Sequence, residues 1–394
     1  MARRLTPSDL QTLLDRAAAA PRVLAADDLA ALLAIPAGDD EALHALHAAA
    51  RAVKLRCCGR GIAMRGLVEA GNACAKDCYY CGIRRSNAAL ARYALDAGEI
   101  VRLAHVAADL GYASLVIQSG ETESPAHTAF IEDVLRRIAP LDLGVTLSLG
   151  EQTEETYRRW RAAGATRYLL RIETSSPALY AKLHPPTHSW ERRVECLRAL
   201  RRCGYQVGTG VMCALPGQTP LDLARDIRFF ADIDADMLGM GPYIPHPDTP
   251  LAAEAAAAGW SAPAALTLGL NLVAVARLHL HDVNIAAATA LQALAPDGRE
   301  RGILAGANVL MPNITDVRYR RGYQLYANKP CLDENASLCR GCLEARLATI
   351  GESPSYGTRS DSPHFHARTA AAPYPAPVGP DAGHSPAPSS ANPR

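Results

Sequence analysis

The chain lacks most of the features by which a protein of its size reveals a partner. Its 41 Lys and Arg residues balance 40 Asp and Glu. No excess of one sign therefore points to nucleic acid or to an anionic membrane surface. No uninterrupted apolar run reaches about 18 residues, which on pattern excludes a membrane-spanning helix. The N-terminus, MARRLTPSDL, has no apolar stretch of the signal-peptide kind, so the expectation is a cytoplasmic protein. There is no Gly-Lys dipeptide for a phosphate loop, no H-E-x-x-H and no G-x-S-x-G elbow. An even cysteine count is missing too. Eleven cysteines cannot all pair, and a reducing compartment disfavours structural disulfides in any case. Metal binding is the expectation that remains.

What is present falls into three zones. Residues 1–60 are rich in Ala and Leu and read as short amphipathic helices with Asp or Ser at their N-caps, a helical extension to something larger. In residues 352–394, Pro, Ala, Ser and Gly fill 27 of 43 positions. That composition cannot bury enough apolar surface to offset chain entropy, so a disordered tail is expected. His364, His366 and His384 lie there as a weak metal-site candidate, with solvated tail residues the favoured reading.

Residues 61–351 alternate β-branched apolar runs with helical stretches. The runs start near Leu67, Ser114, Gly144, Arg167, Val207, Asp236, Val283 and Ala307. Between the first two, Ile100, Leu103, Ala107 and Leu110 share one helical face that Gly111 stops. Tyr157 and Trp160 share another face, closed by Gly164. This βα order implies right-handed crossovers and parallel strands. Eight units match an α/β (β/α)8 TIM-type barrel. An open doubly wound sheet is the rival.

The most informative stretch is Cys74-Ala-Lys-Asp-Cys78-Tyr-Tyr-Cys81, directly after the first expected strand. In a barrel that is the C-terminal face, where active sites are built. Three thiolates in eight residues suit a soft metal centre. Structural zinc would want a fourth ligand, and no other Cys or His lies close by in sequence. An iron–sulfur cube held by three cysteines leaves one iron open for a ligand. Cys331, Cys339 and Cys342 form a second group, able to hold an iron–sulfur cluster or zinc. Cys196, Cys203 and Cys213 read as core thiols, and Cys57 and Cys58 as inert.

The spacing C-x3-C-x2-C with Tyr80 before the last cysteine resembles the signature of the radical S-adenosylmethionine (SAM) superfamily. That resemblance implies a [4Fe-4S] cluster on Cys74, Cys78 and Cys81. The open iron is then chelated by SAM, and one electron cleaves SAM to a 5′-deoxyadenosyl radical. It also implies SAM contacts at Tyr80, Gln118, Ser119, Gly120, Glu121, Glu173, Arg193 and Met237. Arg193 would offer a planar fork to the SAM carboxylate. CGIRRSN, LVIQSGE, VTLSLGE, AGATRYLLRIET, LPGQT, GMGPYIPHPDTPLA, GANVLMPN and YQLY, in this order over residues 60–350, resemble the HydE family of [FeFe]-hydrogenase maturases. LPGQT and QSGE are also similar to biotin synthase and methylornithine synthase.

The family resemblance implies a role in assembling the hydrogenase H-cluster from a small cysteine-bound iron complex. It implies a pocket of Thr146, Ser148, Arg171, Thr289, Met311 and Tyr326, with Arg171 and Tyr326 at the chemistry. It implies an auxiliary [2Fe-2S] or [4Fe-4S] site on Cys331, Cys339 and Cys342. The partners implied are a small-molecule substrate, other maturases and an electron donor. Ala288 departs from the family, whose members often have a second Thr beside Thr289. The competing readings are an amino-acid mutase or sulfur-insertion enzyme of the same superfamily and, in another class, a non-catalytic iron–sulfur scaffold or electron carrier.

Overall fold

A computed structural model describes residues 4–371. Its strands are β1 (Gly61–Met64), β2 (Gly66–Gly71), β3 (Ser114–Ser119), β4 (Gly144–Ser148), β5 (Ala165–Leu169) and β6 (Gln206–Thr209). They continue as β7 (Met212–Cys213), β8 (Met237–Leu238), β9 (Gly241–Pro242), β10 (Asn284–Ile285), β11 (Val309–Leu310) and β12 (Ser353–Ser355). Seven pair side by side and in parallel, in the order β2, β3, β4, β5, β6, β8, β10. The segment around β11 spans the gap between the two ends. Val309 bridges Ala286 on one side and Asn313 bridges Leu67 on the other, both in parallel. The chain thus curls into the expected barrel, and the open doubly wound sheet does not form. The eight expected runs all contribute, those from Val207 and Asp236 as two strands each, and β1 and β12 are additional.

The expected periodicities explain the local structure. Leu115, Val116 and Ile117 of β3 are all buried, because helices cover one face of the sheet and the barrel interior the other. Asp96 and Glu99 form a reciprocal capping box on the helix Ala97–Asp109, which buries Ile100, Leu103 and Ala107. Thr153 caps Glu154–Ala162, which buries Tyr157 and Trp160. The extension forms helices Pro7–Ala19, Ala26–Leu33 and Asp40–Cys58, packed on the helices Ala262–Leu280 and Pro220–Asp232. Ala262–Leu280 is long and apolar enough to cross a membrane, which run-counting missed because polar residues interrupt it. It is 78% buried within the fold. Arg277 inside it donates to the carbonyls of Gly306, His281 and Val283 and to Asn308 Oδ1.

The expected disordered tail needs correction over residues 352–371. β12 pairs with β1, and Pro363–Ala371 is a helix. The segment between them covers the N-terminal end of the barrel. Asn284 Nδ2 and Arg65 Nη2 donate to the Ser360 carbonyl at 2.9 and 3.2 Å. Gln206 Nε2 and Arg167 donate to Asp361, and Ser114 Oγ donates to the Arg359 carbonyl. Lys54 and Glu352 pair at 2.9 Å with both side chains fully buried. Composition predicted disorder because large apolar groups are few, but order here comes from polar partners left at the strand starts. Residues 372–394, including His384, lie outside the described residues.

Both ring nitrogens of His364 face carboxylates, Nε2 at 2.6 Å from Asp234 Oδ1 and Nδ1 at 3.3 Å from Asp282. Those hydrogen bonds push its pKa up to about 9. A group raised on folding stabilises fully below its unfolded pKa of about 6.5, and that contribution is lost as pH rises through about 9. The melting temperature is therefore expected to fall between pH 7 and 9.5, and the His364→Gln variant to start lower and show less of that fall. An equal fall in both proteins, by calorimetry, would assign it elsewhere.

Candidate active site

The loop after β2 carries the three cysteines and is shaped by its own polar side chains. Asn72 Nδ2 donates to the carbonyls of Ala91 and Gly322, and Arg92 Nη1 to those of Asn72 and Ile83. Arg84 grips Asp77 through two bonds of 2.8 and 2.9 Å. Together with Ser86 it holds that carboxyl far below the usual range. Neighbouring strand ends pin the loop. Ala75 N–H donates to the Glu121 carbonyl and Glu121 N–H to Cys74 Sγ at 3.3 Å. At Gly120 a Cβ would stand 2.2 Å from the Ala73 carbonyl oxygen and 2.8 Å from Cys74 Cβ, so this strand end must be glycine.

The loop delivers the three expected thiols together. Burial pushes their pKa values up, that of Cys78 to about 12. Metal binding must then expel protons, because the thiolate is the ligand. The sulfurs are not drawn within 4.8 Å of one another, as the donors of one ion would be. With Zn–S near 2.3 Å, a single tetrahedral ion sets neighbouring sulfurs about 3.8 Å apart. A multi-iron cluster spaces its cysteine ligands wider than a single ion does.

Beside the loop is a buried network that sequence reasoning only partly anticipated. Lys76 Nζ lies 2.9 Å from Glu151 Oε2 and 3.2 Å from Glu121 Oε1. Arg193 Nε donates to Glu151 Oε1 at 2.5 Å, and its Nη1 to the Arg171 carbonyl at 2.8 Å. Glu151 N–H donates to Glu121 Oε2. Burial alone would raise the Glu151 carboxyl, but Arg193 and Lys76 hold it down at about 2. Two of the nitrogens of the fork expected from the sequence at Arg193 thus already serve the protein. Lys76 and Glu151 were missed as functional residues. The signal was there, a lysine inside the cysteine motif and a strand-end Glu in VTLSLGE.

Above β5, the Arg171 Nη2 and Glu173 Oε2 atoms stand 3.0 Å apart. The Arg171 side chain is 33% exposed, but its Nε is buried and has no hydrogen-bond partner. Glu173 has φ +67, a left-handed conformation that turns the chain out of the strand. The charges of Arg193 and Glu173 both act on Cys78 and on Tyr80, which places these groups in one neighbourhood. Burial raises the Tyr326 phenol, and Glu69, Arg299, Cys331 and Arg171 act on it in turn. The strand-end residue Gln118 hydrogen-bonds Tyr323, and Ser119 Oγ donates to the Gly120 carbonyl. Gly82 N–H donates to the Leu325 carbonyl, tying the YQLY segment to the cysteine loop.

Other expected residues separate. Ser148 ends β4 opposite Gln118. Thr289 opens the helix Thr289–Leu294, whose N-cap Ala288 gives no side-chain cap. Thr146, Met237 and Met311 instead line a small cavity deeper in the barrel with Arg65 and Asn284. Met237 Sδ accepts from Arg65 Nη1 at 2.8 Å. Met237 opens a strand of two residues and pairs with Gly208 and Asn284. Cys339 is buried and Cys342 exposed on the helix Ala336–Thr349, and Cys331 precedes it. Their sulfurs are not within 4.8 Å of one another either. Among the described residues, Cys78, His184 and His188 do meet that spacing, and the two histidines were not anticipated.

A parallel barrel with three thiols on its first βα loop, facing strand-end carboxylates, defines the architecture of a radical SAM enzyme. Residues 68–230 match the Radical SAM superfamily. The fold resembles that of methylornithine synthase, 23% identical with a TM-score of 0.74 over 88% of this chain and 98% of that one. It also resembles HydG, a maturase of the [FeFe]-hydrogenase, 21% identical with a TM-score of 0.72 over 90% and 78% of the two chains. Both likenesses concern the fold alone. Biotin synthase of Corynebacterium urealyticum is 27% identical over 77% of this chain and 87% of that protein. The [FeFe] hydrogenase maturase subunit HydE of Thermotoga maritima is 43% identical over 318 residues, 80% of this chain and 88% of that protein. The chain belongs to the HydE family of maturases.

Proposed function

We propose that this chain acts in assembly of the [FeFe]-hydrogenase H-cluster, on a small cysteine-bound iron complex held in the barrel mouth. Cys74, Cys78 and Cys81 would hold a [4Fe-4S] cluster with SAM beside it. That pair, when bound and reduced, supplies the 5′-deoxyadenosyl radical. The observation that carries the reading is the Arg171–Glu173 ion pair next to the three-thiol loop, in which the buried Arg171 Nε has no hydrogen-bond partner. Buried polar atoms without partners are rare unless a ligand completes them.

Glu173 Oε2 would accept from the ribose or ammonium of SAM, and Gln118, Ser119, Gly120 and Glu121 would line its amino group beside Tyr80. Arg193 is a positioning residue that fixes Glu151 and the Arg171 carbonyl. Arg171 Nε and Nη2 would take an anionic substrate group, with Ser148, Thr289 and Tyr326 around it. Thr146 and Met311 would form the floor. Other maturases and an electron donor are the partners this role requires, and the reducing cytoplasm suits it.

Arg171→Ala tests the assignment. A charge-assisted hydrogen bond contributes about 1.5–3 kcal/mol, or roughly tenfold to a hundredfold in affinity. Hydrogenase activation in a complete maturation assay is expected to fall by that factor at limiting substrate, with SAM affinity changed less than about twofold. Normal activation, or an equal loss of SAM affinity, would overturn the pocket.

Cys331, Cys339 and Cys342 are proposed as an auxiliary cluster site. Replacing all three is expected to lower iron content while leaving 5′-deoxyadenosine formation largely intact, because they lie beyond the last barrel strand. Complete loss of 5′-deoxyadenosine from a folded variant would contradict this.

A further inference from the structure

The segment Leu183-His184-Pro185-Pro186-Thr187-His188 has no part in the reaction as derived so far. It follows the helix Pro177–Leu183 and lies against the cysteine loop, where Tyr79 N–H donates to the Leu183 carbonyl. The two prolines restrict the backbone, and His188 N–H closes a turn onto the Pro185 carbonyl at 2.9 Å. That turn folds the second imidazole back beside the first, with ring centroids 5.6 Å apart. One donor atom from each histidine then lies within 4.8 Å of the others and of Cys78 Sγ.

The rings are held as metal ligands are held. His184 Nδ1 sits 2.9 Å from the Tyr180 carbonyl, so Nδ1 carries the proton, and the Nε2 lone pair accepts from Tyr80 Oη at 3.2 Å, a bond that a metal ion would displace. Tyr180 stacks on the ring at 3.9 Å and Tyr80 meets it edge-on at 5.4 Å, which fixes its plane. His188 takes the Asp77 N–H at 3.5 Å on Nε2, while its buried Nδ1 has no partner. One sulfur and two imidazoles make a mixed donor set that suits zinc, with a fourth position left for water.

We propose that the cluster-free protein binds a single divalent ion of the zinc class on Cys78, His184 and His188, and that this ion excludes the iron–sulfur cluster. The exclusion rests on the reading of Cys78 as a cluster ligand. Cys78 loses its thiol proton to solvent as the sulfur–metal bond forms, both imidazoles donate as neutral ligands, and nothing is oxidised or reduced. Nitrogen and sulfur donors favour zinc over ferrous iron, so a chain that meets zinc first is diverted from cluster assembly.

The test uses the full-length protein, stripped of metal under anaerobic conditions and titrated with zinc against a chromogenic chelator. The expected result is one tight zinc per chain, weakened at least about tenfold by His188→Ala or His184→Ala. Cys74→Ala and Cys81→Ala should keep the wild-type zinc affinity. Zinc added before iron and sulfide should block reconstitution of the wild type but not of His188→Ala, whose cluster loading also serves as its folding control. Unchanged zinc affinity in both histidine variants would overturn the site. So would an equal loss in Cys74→Ala and Cys81→Ala, which would put zinc on the cysteine trio. Should zinc depend on His188 while the triple cysteine variant keeps its iron, the cluster reading fails and the exclusion with it, but the zinc site stands.

Discussion

Replacing Cys74, Cys78 and Cys81 together by alanine is expected to abolish the oxygen-sensitive four-iron centre and, with it, all reductive cleavage of SAM. Among the described residues no other three cysteines lie within eight residues of one another. The measurement is iron content and paramagnetic resonance of reduced, reconstituted protein, with and without SAM. The wild-type signal should shift when SAM is added, because SAM takes the open iron, and the variant should have no signal of this kind. Retention of four irons by the triple variant would sink the assignment. Because the loop is shaped by Asn72, Arg84, Asp77 and Arg92 rather than by the thiols, the variant is expected to fold.

Arg193→Ala is expected to be the most destabilising single substitution near the site. Its guanidinium and the Glu151 carboxylate are both almost fully buried, with side chains 8% and 4% exposed. Removing one partner strands Glu151 beside Glu121, with Lys76 as the remaining cation. Breaking a buried pair in this way costs about 3–5 kcal/mol. Arg193→Lys keeps the charge but not both hydrogen bonds, and should lose less. The double variant Arg193→Ala/Glu151→Gln should recover part of the loss, since the stranded charge is gone. Denaturant unfolding of the three variants measures this. If Arg193→Ala unfolds like the wild type and only SAM affinity falls, Arg193 is a direct ligand and not a post in the network.

Ala288 bears on the substrate without changing the framework. It caps the helix Thr289–Leu294 with no side-chain hydrogen bond, and a Cβ on Gly241 would meet its methyl at 3.0 Å. Ala288 itself brings no hydroxyl beside Thr289.

The sequence by itself determined the barrel, the cysteine loop and the family. Period-2 and period-3.6 patterns depend on neighbours within one element, and C-x3-C-x2-C lies within eight residues, so both survive without knowledge of the fold. The contacts decided only by tertiary structure join residues far apart in the chain. Glu151 meets Arg193 and Lys76 across three elements, and His184 and His188 reach Cys78 from a loop more than 100 residues later. The order of residues 352–371 is of the same kind. Low apolar content argued for disorder, yet buried Arg65, Arg167, Gln206 and Asn284 at the strand starts have polar groups to satisfy. Only a distant polar segment could satisfy them, and composition read along the chain does not register a demand made from the other end of a barrel.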